Sequence, residues 1–340
     1  MPKQNEKVTI KSIAEELGVS FSTVAKALND DPRISEQTKT LVKNKAREMN
    51  YVRNYFAHSL RHQESNTVAI ILSDIDIPVY AEMIAMLSSD LARYGCTTIV
   101  SSPQNGEEAE RNCIQSVLSR MPMAVIISPA SPSSKNVRLL ESIYNNTLIL
   151  GKPCESVKAN YLSLDHRYAG YLNARHLLEN GRRKNLILCG PREYESSALF
   201  YQGVLDAYRE FDLQVDESLV SWSRPSEAVA CARVKEIWEA APGCIDGVVC
   251  FCDTLALGVY RASRLLHFSI PEDISVVGYD DNPTNDFTDP PLTSIHQPKG
   301  LLARYCLEFA VKCLKNEETE LWSRHLQPEL AARGSVCPKK

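Results

Sequence analysis

The chain has 340 residues, 44% hydrophobic and 24% charged, with a formal net charge of −4. This is the composition of an ordinary globular protein, too long for one typical core, so two or three domains are expected. No early run reads as a signal peptide and no apolar stretch approaches the ~20 residues of a membrane helix, so the expectation is a cytoplasmic protein without membrane contact.

Residues 9–29, TIKSIAEELGVSFSTVAKALN, read as two short helices joined by a tight turn. Thr9 can cap a first helix in which Ile10, Ile13, Ala14 and Leu17 recur at helical spacing, and Gly18 supplies the left-handed residue for a sharp stop. Ser20 caps a second helix whose Val24, Ala27 and Leu28 face the first, leaving Phe21, Ser22, Ala25 and Lys26 pointing away. That is the layout of a helix-turn-helix, whose second helix enters the DNA major groove. After a turn at Asn29–Pro32, Ser35 caps a third helix ending near Asn50, with Leu41, Val42, Ala46 and Met49 predicted to close a small three-helix core. Residues 51–61 form a short amphipathic segment and 63–66 a connection.

From residue 67 the pattern changes to strands alternating with helices. Strands are predicted at 68–73, 97–101, 124–128 and 147–151, with helices near 80–94 and 107–120. A second series places strands at 161–165, 185–190, 247–253 and 274–280, with helices near 167–180, 199–211, 226–240 and 254–267. Such alternation implies parallel sheets covered by helices on both faces, and two series imply two doubly wound lobes. Ligands of open parallel sheets gather beyond the carboxyl ends of the strands. Asp74, Asp165, Asp253 and Asp280 close these strands and are therefore the pocket candidates; the competing role for each is to cap the following helix.

Charge is divided unevenly. Residues 1–62 hold eleven Lys/Arg against seven Asp/Glu, a net +4, so the remainder carries −8. A basic head on an acidic body is the footprint of a protein whose head alone meets phosphate. None of the eleven cysteines precedes Cys96 and none forms a CxxC pair. Cys189, Cys250 and Cys252 sit in apolar runs, so structural thiols are expected rather than metal ligands or disulfides. The chain has no GxSxG, GxxxxGK or HExxH, and His166 beside Asp165 is expected to be an exposed helix-start residue, so no catalytic site, metal or cofactor is predicted.

Several blocks in the same order resemble one known family: VTIKSIAEELGVSFSTVAKALN, PRISEQTKTLVKNKAREMNY, AHSL at 57–60, GP at 190–191, CDTLALGVYRA at 252–262, IPEDISVVGYDD at 270–281 and PPLTSIHQP at 290–298. The chain resembles LacI/GalR-type transcriptional regulators from Val8 to about Arg333. The resemblance implies an α/β protein with a three-helix helix-turn-helix headpiece (1–52) and a hinge helix with linker (53–66). The core (67–340) would be two doubly wound parallel-sheet lobes resembling a periplasmic binding protein. Lobe 1 is expected at about 67–162 and 294–326, and lobe 2 at about 163–293 and 327–336.

The same resemblance implies a repressor function: a homodimer on a palindromic operator in double-stranded DNA, answering to a sugar or sugar-like effector between the lobes. Phe21, Ser22 and Lys26 fall where family members read bases, while Thr9, Ser20, Thr23 and Asn29 cap helices or touch phosphate. Asn54 would cap the hinge helix and Leu60 matches the leucine wedged into the minor groove; anchoring of the linker on the core is the other role open to Leu60. Ala25 and Arg53 depart from the family's usual serine and proline. Val79, Tyr80, Asp165, Asp253, Asp280 and Trp222 are the expected effector contacts. Cys252 stands in place of a common asparagine, a loss that Arg192, Glu193 or Tyr194 could offset. Two other readings stay in view: a regulator of this fold controlled by a protein partner, its pocket vestigial, and a solute-binding protein.

Overall fold

A computed structural model describes residues 8–51, 65–72, 75, 78–103, 106–129, 131, 134–151, 157–192, 194–317 and 320–339. The chain divides into two compact units, Met1–Glu64 and Ser65–Lys340.

The first unit holds α1 (Ile10–Leu17), α2 (Phe21–Leu28) and α3 (Glu36–Glu48). Each begins at a hydroxyl cap. Ser12 N–H donates to Thr9 Oγ1 at 3.2 Å while Thr9 N–H donates to Ser12 Oγ at 2.8 Å, a reciprocal capping box. Ser20 Oγ accepts from Thr23 N–H at 3.0 Å and Ser35 Oγ from Thr38 N–H at 3.3 Å. Gly18 sits at φ 63°, the left-handed stop that a side chain would strain. Ile13, Ala14, Val24, Ala27, Val42 and Ala46 form the core. Leu41, expected in that core, is 53% exposed. The buried stripe of α3 runs through Lys39, Val42 and Ala46, and Leu41 lies about 100° round the helix from Val42. Lys39 buries its stem and pairs with Glu36 at 2.6 Å.

In the second unit the elements run β1 (Thr67–Leu72), α4 (Pro78–Arg93), β2 (Thr97–Ser101), α5 (Gly106–Leu118), β3 (Ala124–Ser128), α6 (Lys135–Ile143), β4 (Thr147–Leu150), β5 (Asn160–Leu164) and α7 (His166–Glu179). Next come β6 (Asn185–Cys189), α8 (Glu195–Glu210), β7 (Val220–Trp222), α9 (Glu227–Ala240), β8 (Gly247–Cys250), α10 (Asp253–Leu266) and β9 (Ser275–Asp280). The last are β10 (Thr293–His296), α11 (Lys299–Leu314), β11 (Ser323–Leu326) and β12 (Glu329–Ala331). Two six-stranded sheets result, ordered β11-β5-β4-β3-β1-β2 and β12-β10-β9-β8-β6-β7. All neighbours pair in parallel except β10 with β12.

Chain order grouped residues 161–165 with the second series, but β5 pairs with β4, Leu148 opposite Asn160, and so belongs to the first sheet. The reason lies in the connections. After β5 the chain leaves the first sheet, and α7 packs on the second through Ala169, Ala174 and Leu177. It returns after β10, because Leu302, Cys306 and Phe309 of α11 pack in the first lobe's core. It crosses again between β11 and β12. Strand periodicity cannot register which sheet a strand joins.

The helix pair α7 and α8 packs backbone to backbone. A Cβ on Gly170 would strike the Phe200 carbonyl, and one on Gly203 would strike the Arg167 carbonyl. Gly203→Ala should therefore lower stability by about 1–3 kcal/mol, the usual cost of overpacking. The urea midpoint of the full chain measures it, and a midpoint equal to wild type would show that the helices can part without cost.

Candidate functional site

The reading face of the headpiece is set by the caps just described. With Ser20 closing the N-terminus and Val24 and Ala27 turned inward, Phe21 is left 56% exposed and Ser22 exposed beside it. Lys26 is half-buried on the last turn of α2, and Asn29 ends that helix. Thr9, Ser20 and Thr23 are occupied by capping hydrogen bonds. Asp31 is paired with Arg33 at 2.7 Å, which holds its carboxyl well below the usual range. Asn54 and Leu60 lie outside the described residues, as do Asp74 and Glu193.

In the core, the expected effector groups fall into two sets. Asp165, His166, Tyr279 and Tyr80 form the first. Tyr80 on α4 shares a hydrogen bond with Ser128 at the end of β3, 2.9 Å between hydroxyl oxygens. Tyr279 Oη is 2.8 Å from His166 Nδ1. Burial pushes the Tyr279 phenol well up, and Asp280, Tyr80 and Asp165 add to the effect. The second set lies farther along the same sheet edge. Trp222 at the end of β7 has the Arg192 guanidinium over its face at 5.1 Å and Tyr201 edge-on at 5.2 Å. Tyr194, 37% exposed, precedes α8 as its N-cap residue without a side-chain cap bond. Phe200, Phe251 and Tyr279 pack together behind these groups.

The structure corrects three expectations. Val79 is buried in the first lobe's core with Met83 and Leu87 rather than lining an open site. His166 is half-buried and hydrogen-bonded, not an exposed helix-start residue. Asp253 is only 1% exposed and is turned to donors of the chain itself rather than to an open site: Oδ2 accepts from Asn282 N–H at 2.9 Å and Asn285 Nδ2 at 2.8 Å, and Oδ1 from Ser294 Oγ at 2.6 Å. Its burial raises its carboxyl, opposed by those donors.

The other two carboxylates are engaged by donors of the chain while keeping some capacity. Asp165 Oδ1 accepts from Tyr168 N–H at 2.9 Å, and Oδ2 meets Gln327 at 3.4 Å. Asp280 is buried and accepts from Gln297 Nε2 at 2.7 Å. Desolvation and the adjacent Asp253 hold its carboxyl well above the usual range.

Sequence reasoning did not assign Gln297 or Lys299, although the first lies within the quoted PPLTSIHQP block and the second directly follows it. Lys299 is only 5% exposed, and Nζ donates to Glu82 Oε1 at 2.7 Å and to the Asp281 carbonyl at 3.1 Å. A buried lysine in a polar block was the available signal, and it carries no meaning without its partners. One cavity of about 640 Å³ lies apart from all these groups, lined in part by Glu141, Tyr144, Lys158, Cys313 and Glu317 of the first lobe. Among the described residues no cluster of His, Cys, Asp and Glu has the arrangement of a metal site, and no helix is long and apolar enough to cross a membrane.

A capped helix-turn-helix ahead of two parallel-sheet lobes crossed three times by the chain defines a DNA-binding transcriptional regulator with a binding-protein-like core. The family model for bacterial regulatory proteins of the lacI family matches residues 9–54, and that for the periplasmic binding protein-like domain matches residues 174–336. The chain thus carries a LacI-family helix-turn-helix domain and a periplasmic-binding-protein-like domain, and the relatives it resembles are named as LacI/GalR-type regulators. It is 26% identical over 331 residues to the transcriptional repressor PurR of Pasteurella multocida, covering 96% of this chain and 98% of that one. Its fold matches the lac repressor dimer bound to operator and the anti-inducer ONPF, with a TM-score of 0.82 at 23% identity over 98% and 100% of the two chains. It also matches the CelR–cellobiose complex, with a TM-score of 0.71 at 24% identity over 96% and 99%.

His166 generates a pH prediction. Burial lowers its pKa from 6.5 to about 4, with Asp165 opposing. Between those values the unfolded chain binds the proton and the folded one does not, so stability falls as pH drops from 6.5 to 4. In His166→Gln the fall in urea midpoint across this range should be shallower than in wild type; parallel curves would show that His166 is solvated. His176, also lowered by burial, acts in the same direction.

Proposed function

We propose that this protein is a ligand-responsive repressor that binds a palindromic operator as a homodimer, with its effector held between the core lobes. The observation that carries the DNA side is the pairing of an exposed Phe21 and Ser22 with a helix whose other face is locked into the headpiece core. In this reading residues 1–52 are the headpiece and 53–66 the hinge, with Asn54 capping the hinge helix and Leu60 entering the minor groove. Phe21, Ser22 and Lys26 meet base edges, while Thr9, Ser20, Thr23 and Asn29 lie against phosphate. A second copy would cover Phe287, which is 87% exposed on the turn Pro283–Phe287. The protein acts on DNA in the cytoplasm and performs no catalysis.

For the effector, the supporting features are Tyr80, Trp222, Arg192 and the oxygens that Asp165 and Asp280 retain. A carbohydrate-like molecule fits this set: aromatic faces stack on its C–H surface and carboxylates accept its hydroxyls. The relative named above as a cellobiose complex points the same way. One observation favours control by a protein partner instead. Among the described residues, the carboxylates first expected in the pocket, Asp165, Asp253 and Asp280, are engaged by donors of the chain itself.

Two experiments test this. Binding of the full chain to the palindrome it enriches from a random DNA pool should weaken steeply with salt, with log K falling by about 0.9 per phosphate neutralised for each unit in log salt. Lys26→Ala should cut discrimination at one base position by roughly ten-fold, within the ~1–3 kcal/mol of a good base contact. Unchanged selectivity would remove Lys26 from the readers. A thermal-shift panel of sugars, sugar acids and nucleobases should contain a compound that raises the melting temperature by mass action. A panel without one favours the protein-partner reading.

A further inference from the structure

The connection between β9 and α11 holds a contact that neither the DNA face nor the effector groups require. Asp280 ends β9 and Asp281 follows it, with φ of 131° and 52°, consecutive residues on the disfavoured side of backbone space. Such strain persists only where the surroundings over-determine it. Around Asp281 they do: its N–H donates to Ser294 Oγ at 3.1 Å, and its carboxylate pairs with His296 at 2.8 Å and Arg333 at 2.8 Å. These three partners belong to the second lobe. The fourth partner, at the carbonyl, is Lys299.

Lys299 opens α11, whose apolar face is in the first lobe's core, and its other partner, Glu82, is on α4 of that same lobe. One buried ammonium therefore joins a first-lobe carboxylate to the strained backbone of the second lobe. Its neighbours on each side are effector candidates: Tyr80 lies two residues before Glu82, and Asp280 directly precedes Asp281.

We propose that Lys299 is the positioning residue that couples the two lobes, its ammonium clamping Glu82 of α4 to the carbonyl of Asp281. The proposal rests on reading the core as a pair of effector-binding lobes. Glu82 moves with Tyr80 and Asp281 with Asp280, so a molecule seated between Tyr80 and Asp280 acts on both ends of the clamp. A change in lobe angle must either stretch the Lys299–Asp281 bond or rotate Asp281 out of its strained conformation, so the clamp favours one of two arrangements. Lys299 needs no contact with ligand or DNA to do this.

The test uses the full chain, carrying ketone-bearing residues for spin labels at Tyr94 and Leu265, one in each lobe, 50% and 59% exposed. The native thiols stay untouched, and labelled protein is diluted with unlabelled. Wild type should give one narrow interlobe distance by pulsed electron resonance. Lys299→Met, which leaves Glu82 at a third exposed and free to hydrate, should broaden or split that distance without changing the melting temperature. The same variant should bind the enriched palindromic duplex about five-fold or more weakly, because part of the population leaves the DNA-competent arrangement.

An unchanged distance overturns the proposal. A broadened distance with wild-type DNA affinity also overturns it, leaving Lys299 a structural bridge only. If Lys299→Met does not fold, Glu82→Gln takes its place: it leaves the ammonium on Asp281 and removes only its carboxylate, and the same two readouts decide. Failure of the wild type to bind any duplex would sink the regulator reading instead, and the distance comparison would still judge the clamp.

Discussion

The second lobe is organised around a carboxylate that water does not reach. Asp253 is buried at the start of α10, and its charged form is tolerated because three donors converge on it from the segment that follows β9. Such a group is costly unless hydrogen-bonded, and each donor left unpaired would cost about 1–3 kcal/mol. The knot dictates its surroundings. Gly278 on β9 has to lack a Cβ, since one would strike Asp253 Oδ1. Ser294 of β10 is drawn in beside it, and residues 281–285 are folded back over α10. This holds the end of β9 where Asp280 meets Gln297 and Asp281 can reach the lobe crossing.

The same economy of polar groups governs the rest of the sheet edge. Helices of both lobes start there, and their orphan N–H groups need acceptors. Asp165 meets that need for α7 and leaves part of its carboxylate over, while Asp280 is taken up by the Gln297 amide. The groups that remain partly accessible are Tyr80, His166, Trp222 and Arg192. A site built this way is sparing with free charge and generous with aromatic surface. Its ligand would be held by stacking and a small number of directed hydrogen bonds, and its lobes by the lysine between them.

How much of this could be seen in the sequence depended on the range of the interaction. The headpiece was visible almost whole because caps, glycine stop and apolar stripe all act within four residues. Leu41 was the exception, because its neighbours place it correctly only once the packing angle of α3 is known. In the core, buried strands and amphipathic helices announced themselves by apolar runs and period. The strand at 160–164 was assigned to the wrong sheet because nothing local marks a crossing. His166 looked exposed because its partner, Tyr279, is 113 residues away. Asp253 looked like a ligand group for the same reason: its three donors come from residues 282, 285 and 294.

By itself, then, the sequence determined the class of protein: a helix-turn-helix headpiece, a connection, and two doubly wound lobes, with Phe21, Ser22 and Lys26 turned outward. These follow from hydrophobic periodicity and local capping, which any stretch of chain expresses on its own. Only the tertiary structure decided what the acidic residues of the core do. A carboxylate can cap a helix, knot a loop or receive a ligand with the same side chain, and the choice is made by donors that arrive from elsewhere in the fold. It decided likewise that Lys299, silent in the sequence, lies where the two lobes meet.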